Sequence, residues 1–189
     1  MNLPNKLTLL RMFLVPTMIV LYLFINAIGN ATYWIMGIIF VIASLTDYLD
    51  GMIARKFDLI TTFGKFMDPL ADKLLVISAL VILSDNFRAV PSMWMPFWIP
   101  LIIIARELIV TSIRLVAVGE GKIIAASQLG KYKTAVTMMT IIWYFFLMPV
   151  NQSWIWIIGY CLIGLSVILT LISGIDYFLK NRKIILESI

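Results

Sequence analysis

The sequence contains no histidine among its 189 residues. Imidazole titrates near neutral pH and is a common ligand of transition metals, so its absence excludes every mechanism that needs an imidazole base. A metal site in this chain would depend chiefly on oxygen ligands, which favours hard ions such as Mg²⁺ or Mn²⁺. The single cysteine, Cys161, excludes an internal disulfide. Because Cys161 lies in an apolar run, we expect it to fill the core as a small residue.

Charged residues are also scarce, at 13% of the chain, whereas 62% of the residues are hydrophobic. A soluble domain has about a quarter charged and about half apolar residues. A membrane-spanning helix needs roughly 20 mostly apolar residues, and six segments meet this requirement, at approximately 7–28, 32–55, 66–84, 93–117, 129–149 and 153–178. These features predict an all-α membrane protein, with six transmembrane helices in one bundle and a single domain over residues 1–189.

The basic residues predict the orientation of the chain. If the N-terminus is cytoplasmic, every lysine and arginine except Arg88 falls on or near the cytoplasmic side of the six spans. This bias places both termini in the cytoplasm and predicts a multi-pass protein of the cell membrane. Aromatic residues at the opposite ends, among them Trp34, Trp98 and Trp154, are typical of an interfacial belt. The net charge of +5 suits an anionic leaflet or an anionic substrate, and no basic region stands clear of the membrane to bind nucleic acid.

Half of the ten acidic residues lie in one stretch, TDYLDGMIARKFDLITTFGKFMDPLADK. Asp47 and Asp50 are three residues apart near the end of the second span, and Asp68 and Asp72 are four apart at the start of the third. Both spacings place the two side chains of a pair on one face of a helix. Because a short inner loop makes these helices neighbours, we expect the four carboxylates to converge near the cytoplasmic surface, with the active site facing the cytoplasm.

Four bare carboxylates would repel one another strongly at low dielectric, so they need cations. Two divalent cations roughly 3.5–4 Å apart are a well-attested solution. The alternative is a salt-bridged cluster with the basic residues Arg55, Lys65 and Lys73. Ionisable groups within membrane segments usually serve a function, which favours two Mg²⁺ or Mn²⁺ ions at the carboxylates. The fifth acidic residue of the stretch, Asp58, is interpreted as a solvent-facing loop charge.

Small residues follow the first carboxylate. Asp47, Gly51 and Ala54 form an i, i+4, i+7 stripe, so a ligand can approach the backbone beside Asp47. Arg55 comes next and is a cation suited to phosphate. This stripe indicates a binding surface for part of an anionic ligand.

A second polar pattern lies at the N-terminus. In NLPNKLTLLR, the residues Asn5, Thr8 and Arg11 are three apart and therefore share one helical face. One interpretation is an ordinary helix start, with Pro4 at the first turn and Arg11 extended toward the lipid headgroups. The other interpretation is a polar face directed at an anionic ligand.

The carboxylate stretch carries a family resemblance. The spacing D-x2-D-G-x2-A-R-x8-G-x3-D-x3-D resembles the signature of the CDP-alcohol phosphatidyltransferase family, and it is filled without a gap by Asp47, Asp50, Gly51, Ala54, Arg55, Gly64, Asp68 and Asp72. The resemblance implies an enzyme that moves a phosphatidyl group from a CDP-linked lipid to an alcohol and releases CMP. Chain length and six spans are also similar to that family.

The resemblance also implies roles for single residues. It implies that the four aspartates surround two metal ions, that Asp72 is the catalytic base, and that Asp47, Gly51 and Ala54 line the cytidine site. Spacing alone leaves open which aspartate is least engaged by metal. Together with the N-terminal face, we expect CDP-diacylglycerol to be bound by Asn5, Thr8, Arg11, Asp47, Gly51, Ala54, Arg55 and Gly64.

A second basic set predicts the acceptor alcohol. Arg106 and Arg114 lie two turns apart on nearly one face, and Lys131 and Lys133 begin the fifth span. Cations within apolar helices need an anionic partner, so these four residues are interpreted as a pocket for a phosphate on the acceptor. The alternatives are snorkelling to the headgroups or pairing of Arg106 with Glu107.

Three short motifs support the same acceptor. PN-x2-T-x2-R, ARE and GK-x-KT resemble the bacterial branch of the family that makes phosphatidylglycerophosphate, whose acceptor is sn-glycerol 3-phosphate. Other acceptors remain alternatives, namely inositol phosphate, or phosphatidylglycerol as in cardiolipin synthesis. A divalent-cation transporter is the alternative from a different class, but its site would lie near the bilayer midplane. The sequence does not set the oligomeric state, and a homodimer is compatible with it.

Overall fold

The computed structural model describes residues 2–57, 61–85, 95–119, 127–147, 149–150 and 152–187. All regular structure within these ranges is helical, and no strand occurs in them, which confirms the predicted all-α class. The helices in chain order are α1 (Leu3–Leu23), α2 (Ile25–Ile28), α3 (Ala31–Lys56), α4 (Thr62–Ser84), α5 (Trp98–Gly119), α6 (Gln128–Leu147) and α7 (Ser153–Glu187).

Local sequence signals explain several helix ends. Helix α1 begins with Pro4 in its first turn, where the missing N–H costs no hydrogen bond. Gly29 closes α2 with a φ of 79°, a conformation that glycine adopts without a steric penalty. Helix α4 begins four residues before the predicted span at 66, because Thr61 caps it by accepting a 3.0 Å hydrogen bond from the Gly64 N–H.

Three helical segments in the described part of the chain are long and apolar enough to cross a membrane, judged by length and composition. They are Leu3–Leu23, Ala31–Ala54 and Ser153–Arg182. Large apolar side chains such as Phe13, Phe66 and Ile42 are exposed, and an exterior of this kind suits contact with lipid. A membrane protein is therefore supported, while six spans and cytoplasmic termini stay predictions.

The chain divides into two compact units, of which the first comprises Met1–Trp94 and Ile141–Asn151. In this unit α1 packs against α3 and α4, and α3 also contacts α4. Fully buried residues such as Met36 and Leu75 form part of its core. The Phe40 and Phe145 rings lie 6.2 Å apart, and at Gly37 a Cβ would lie only 3.0 Å from the Phe145 Cβ. Helix α3 and the end of α6 thus approach closely because residue 37 has no side chain.

The second unit comprises Met95–Thr140 and Gln152–Ile189, with α5 packed against α7. Thr137 and Ser166 join α6 to α7 by a 2.8 Å hydrogen bond between their hydroxyls. Such bonds between small polar residues are typical of helix contacts in membranes. The expected core position of Cys161 is wrong, because its side chain is exposed on α7. Lipid is as apolar as a protein core, so an apolar run does not tell which face of a helix is buried.

Candidate active site

The carboxylates of α3 meet a single cation from α1. Arg11 donates from Nη1 to Asp47 Oδ1 and from Nη2 to Asp50 Oδ2, each over 2.6 Å. Asp47 and Asp50 therefore do share one helical face, as their spacing predicts. A guanidinium can hold two carboxylates at once because its donors form a rigid, planar fork.

Asp68 of α4 contacts the same face of α1, at Thr8, one turn before Arg11. The hydroxyl of Thr8 lies 2.5 Å from Asp68 Oδ1 and 3.1 Å from the Pro4 carbonyl oxygen. A hydroxyl has one proton to donate, and the shorter distance assigns that proton to the carboxylate. Helix α1 thereby links carboxylates that come from two different helices.

Asn5, the remaining residue of the polar face of α1, stabilises the start of α4. Thr61 donates a 2.9 Å hydrogen bond from its hydroxyl to Asn5 Oδ1 while it caps α4. At Gly64 a Cβ would lie 3.4 Å from both Asn5 Oδ1 and Asp68 Oδ2. Glycine at position 64 therefore leaves room where α1, the cap and the α4 carboxylate come together.

Burial decides between the two interpretations of the α1 pattern. Thr8 and Arg11 are 0% exposed, so Arg11 does not extend to the headgroups and the snorkelling interpretation is wrong. The face is polar because it contacts anionic groups, and those groups belong to the chain itself. Of the two α3 carboxylates, Asp47 is the more accessible, because its side chain is 35% exposed whereas that of Asp50 is 3% exposed.

Arg11 was not predicted as the counterion of the carboxylates. The predicted salt-bridged alternative used Arg55, Lys65 and Lys73, which are close in sequence. The i, i+3 pattern of Asn5, Thr8 and Arg11 was the available signal, because a buried arginine on a polar face needs carboxylates opposite it. The side chains of Arg55 and Lys65, and all of Asp58, lie outside the described residues.

The donor chemistry of the site suits hard divalent cations. Within the residues that the structure describes, no three carboxylates stand close enough to form a metal-ligand set. The α1 bonds, however, use one oxygen each of Asp47, Asp50 and Asp68. Carboxylate oxygens are the ligands that Mg²⁺ and Mn²⁺ prefer. Asp72 lies one turn after Asp68 on α4 and is partly exposed, and the four-aspartate metal site stays a prediction.

The predicted stripe beside Asp47 is accessible. Gly51 and Ala54 follow it on α3 and are partly exposed. Neither position presents a bulky side chain, so the surface next to Asp47 can accommodate a flat or extended ligand group. Their assignment to the cytidine of the lipid substrate stays a prediction.

In the second unit, two of the four predicted cations share one carboxylate. Glu107 accepts a 3.2 Å bond from Arg106 Nη1 and a further bond from Lys133 Nζ. Arg106 also donates from Nη2 to the Ser173 hydroxyl over 3.0 Å. The alternative pairing of Arg106 with Glu107 is therefore present. The bond from Lys133, 26 residues after Glu107, was not predicted.

The other two predicted cations have different surroundings. Arg114 donates from Nε to the Tyr177 hydroxyl over 3.2 Å, and its guanidinium lies 5.5 Å from the centre of the Tyr177 ring. This geometry is a cation–π contact. Lys131 is exposed on α6, whereas Lys133 is buried. Whether all four residues bind the phosphate of an acceptor stays a prediction.

This chain is similar to a family of enzymes and to several of its named members. The family model described as CDP-alcohol phosphatidyltransferase matches residues 1–172. A protein of Bacillus subtilis (strain 168) is 38% identical, with 95% of this chain and 95% of the relative aligned. A protein of Wigglesworthia glossinidia brevipalpis is 36% identical over 94% of this chain and 93% of its own length. One of Salmonella choleraesuis (strain SC-B67) is 32% identical over 98% of both. All three relatives carry the name CDP-diacylglycerol--glycerol-3-phosphate 3-phosphatidyltransferase.

Proposed function

The chain belongs to the CDP-alcohol phosphatidyltransferase family, and we propose that it transfers the phosphatidyl group of CDP-diacylglycerol to sn-glycerol 3-phosphate. The products are phosphatidylglycerophosphate and CMP, so the enzyme serves phospholipid biosynthesis. The observation that carries this proposal is the near full-length similarity to relatives named for that reaction, at 32–38% identity. The uninterrupted aspartate signature and the buried Lys133 of the second unit support it.

The reaction requires one proton transfer and one displacement. A hydroxyl oxygen of glycerol 3-phosphate attacks the phosphorus that carries the diacylglycerol, and the bond from that phosphorus to the CMP oxygen breaks. The electron pair of the broken bond leaves with CMP. We assign the proton of the attacking hydroxyl to Asp72, since a carboxylate within reach can act as a general base.

We assign two divalent cations, Mg²⁺ or Mn²⁺, to Asp47, Asp50, Asp68 and Asp72. When bound there, such ions would neutralise the pyrophosphate oxygens and stabilise the departing CMP. The residues of the chain orient the ligand groups around them. Arg11 and Thr8 restrain the carboxylates of α3 and α4, which would otherwise repel one another.

The lipid substrate is assigned to the same unit. Asp47, Gly51 and Ala54 line the cytidine, and the partly exposed small residues support this because they leave the α3 backbone approachable. Arg55 binds phosphate, and Gly64 keeps the start of α4 free of side-chain bulk. Asn5, Thr8 and Arg11 contribute to this site indirectly, through their bonds to Thr61 and to the carboxylates and not through contact with the lipid.

The acceptor phosphate is assigned to the four cations Arg106, Arg114, Lys131 and Lys133. Two of these cations, Arg106 and Lys133, both bond to the Glu107 carboxylate on α5. This supports the assignment, because cations within apolar helices need anionic groups. Glycerol 3-phosphate supplies such a group, whereas serine or inositol does not.

We assign the enzyme to the cell membrane as one domain over residues 1–189 with six spans and cytoplasmic termini. The near absence of lysine and arginine from the predicted outer loops supports this orientation. The carboxylates, near the inner ends of the second and third predicted spans, then face cytoplasmic substrates. A homodimer is compatible with this arrangement.

The proposed reaction can be tested with the purified protein in detergent. CMP release from CDP-diacylglycerol is measured with a panel of alcohols, namely glycerol 3-phosphate, inositol phosphate, phosphatidylglycerol, serine and inositol. We expect release with glycerol 3-phosphate far above the other acceptors. Release with inositol phosphate or phosphatidylglycerol alone would replace the acceptor, and no release with any alcohol would overturn the proposal.

A further inference from the structure

We propose that Thr8 and Arg11 are positioning residues: each holds one oxygen of the carboxylates opposite it and thereby directs the other oxygen toward a divalent cation. The inference rests on the proposed function, because it assumes metal at the aspartates. It assigns to α1 a task that differs from contact with the lipid substrate.

The first argument is burial. Thr8 and Arg11 are both 0% exposed, and both have their polar groups turned toward aspartates. A substrate that approaches the site meets Asp47 first, whose side chain is 35% exposed. Direct contact between the substrate and Thr8 or Arg11 would require these buried side chains to move away from charged partners.

The second argument is the division of the carboxylate oxygens. Arg11 uses Oδ1 of Asp47 and Oδ2 of Asp50, and Thr8 uses Oδ1 of Asp68. A carboxylate has two oxygens and about four lone-pair positions. With one oxygen held on α1, rotation of each carboxylate is restricted and the second oxygen has a defined direction. Groups that orient metal ligands in this way are a regular part of metal sites.

The third argument is the way in which α1 spans both ligand-bearing helices. Arg11 donates hydrogen bonds to the carboxylates of α3, and Thr8 donates one to Asp68 of α4. One turn earlier on α1, Asn5 accepts a hydrogen bond from Thr61, the cap of α4. These three residues follow one another at intervals of one turn. One helix therefore bonds to carboxylates from two others and restrains their positions relative to each other.

The decisive variant is Thr8→Val, because it keeps the charge and nearly the size of the side chain and replaces the hydroxyl with a methyl group that cannot donate to Asp68. We expect the affinity for Mn²⁺, measured by calorimetry on the purified protein without lipid, to fall roughly 10–100-fold. At saturating Mn²⁺, the affinity for CDP-diacylglycerol is expected to stay within a factor of about two of wild type. Thr8→Ser restores a hydroxyl and should recover most of the Mn²⁺ affinity.

Thr17→Val is a matched control on the same helix. Its hydroxyl donates to the Phe13 carbonyl oxygen over 2.8 Å at an exposed position. We expect this variant to bind Mn²⁺ like wild type. Equal loss of Mn²⁺ affinity in Thr17→Val and Thr8→Val would reduce the effect to helix stability and overturn the inference.

Arg11→Lys extends the test to the α3 carboxylates and serves if Thr8→Val fails to fold. Lysine keeps the charge but lacks the fork that holds two carboxylates. We therefore expect weaker Mn²⁺ binding in Arg11→Lys despite the unchanged net charge. Unaltered Mn²⁺ affinity in either variant, combined with weaker CDP-diacylglycerol binding at saturating Mn²⁺, would show that α1 contacts the substrate and would overturn the inference.

Asp68→Asn separates failure of this inference from failure of the proposed function. If Asp68→Asn loses Mn²⁺ affinity but Thr8→Val does not, the metal site stands and the positioning role of Thr8 is wrong. If Asp68→Asn binds Mn²⁺ like wild type, the assignment of metal to the aspartates is itself wrong, and the inference falls with it.

Discussion

The two units of this molecule each contain a cluster of ion pairs, and the described pairs of the two clusters differ in composition. In the first unit, one guanidinium is shared by Asp47 and Asp50, and Asp68 is held by a neutral hydroxyl. In the second unit, Arg106 and Lys133 share the single carboxylate of Glu107. Among the described ion pairs, carboxylates outnumber cations in the first cluster and cations outnumber carboxylates in the second. This difference agrees with the proposal of a metal ion for the first cluster and a phosphate for the second.

Removal of the shared cation should have the largest effect on the first cluster. Arg11→Met leaves the buried Asp50 carboxylate without its counterion, and breaking a buried pair in this way costs about 3–5 kcal/mol. We expect a marked fall in the midpoint of thermal unfolding in detergent with a chelator present. Lys6→Met, which removes an exposed cation from the same helix, should change the midpoint little. Equal midpoints for both variants would show that the Arg11 pairs contribute nothing.

Removal of one carboxylate should abolish most of the transfer without preventing insertion. Asp47→Asn keeps the size of the side chain but removes a ligand charge from the proposed metal site. Loss of an electrostatic contribution to the transition state lowers turnover by about 10²–10³-fold, and we expect at least this effect in an assay of CMP release. Wild-type turnover of Asp47→Asn at ordinary Mg²⁺ concentrations would contradict the metal assignment.

Neutralisation of the second cluster should act on the acceptor alone. A charge-assisted contact contributes roughly 1.5–3 kcal/mol, so Lys133→Gln should raise the KM for glycerol 3-phosphate by about one to two decades. The KM for CDP-diacylglycerol should change little. Lys180→Gln is the control, because Lys180 is an exposed cation that pairs with Asp176 on α7. Equal changes in both KM values would mean that Lys133 has a structural role only.

The smallest effect is expected at Arg114. Its guanidinium stacks on the buried Tyr177 ring and also donates to the Tyr177 hydroxyl, so part of it is already engaged within the protein. Arg114→Gln should therefore raise the KM for glycerol 3-phosphate only about two- to fivefold, less than Lys133→Gln does. A larger increase than that of Lys133→Gln would make Arg114 the principal phosphate ligand and would move the centre of the pocket.

Much of the first cluster could be predicted because its signals are local. Helical spacing predicts that Asp47 and Asp50 share one face of a helix. It also predicts the shared face of Asn5, Thr8 and Arg11. What spacing does not contain is the partner across the interface. Arg11 lies 36 residues before Asp47. The periodicity of α1 or of α3 alone does not predict that the polar faces of these two helices contact each other.

The second cluster shows the same limit. The pairing of Arg106 with Glu107 could be foreseen from adjacent residues, but its extension to Lys133 depends on contact between α5 and α6. The exposed position of Cys161 has a different cause. In a membrane protein, lipid-facing and core-facing residues are both apolar, so composition does not distinguish them.

If the two clusters bind ligands of opposite charge, calorimetry on three proteins can separate the two binding sites. Mn²⁺ and glycerol 3-phosphate are each titrated into wild type, Asp68→Asn and Lys133→Gln. We expect Asp68→Asn to lose affinity for Mn²⁺ and to keep its affinity for glycerol 3-phosphate. We expect Lys133→Gln to lose affinity for glycerol 3-phosphate and to keep its affinity for Mn²⁺. Loss of both ligands to the same extent in both variants, or of neither ligand in either variant, would contradict the assignment of the two ligands to separate clusters.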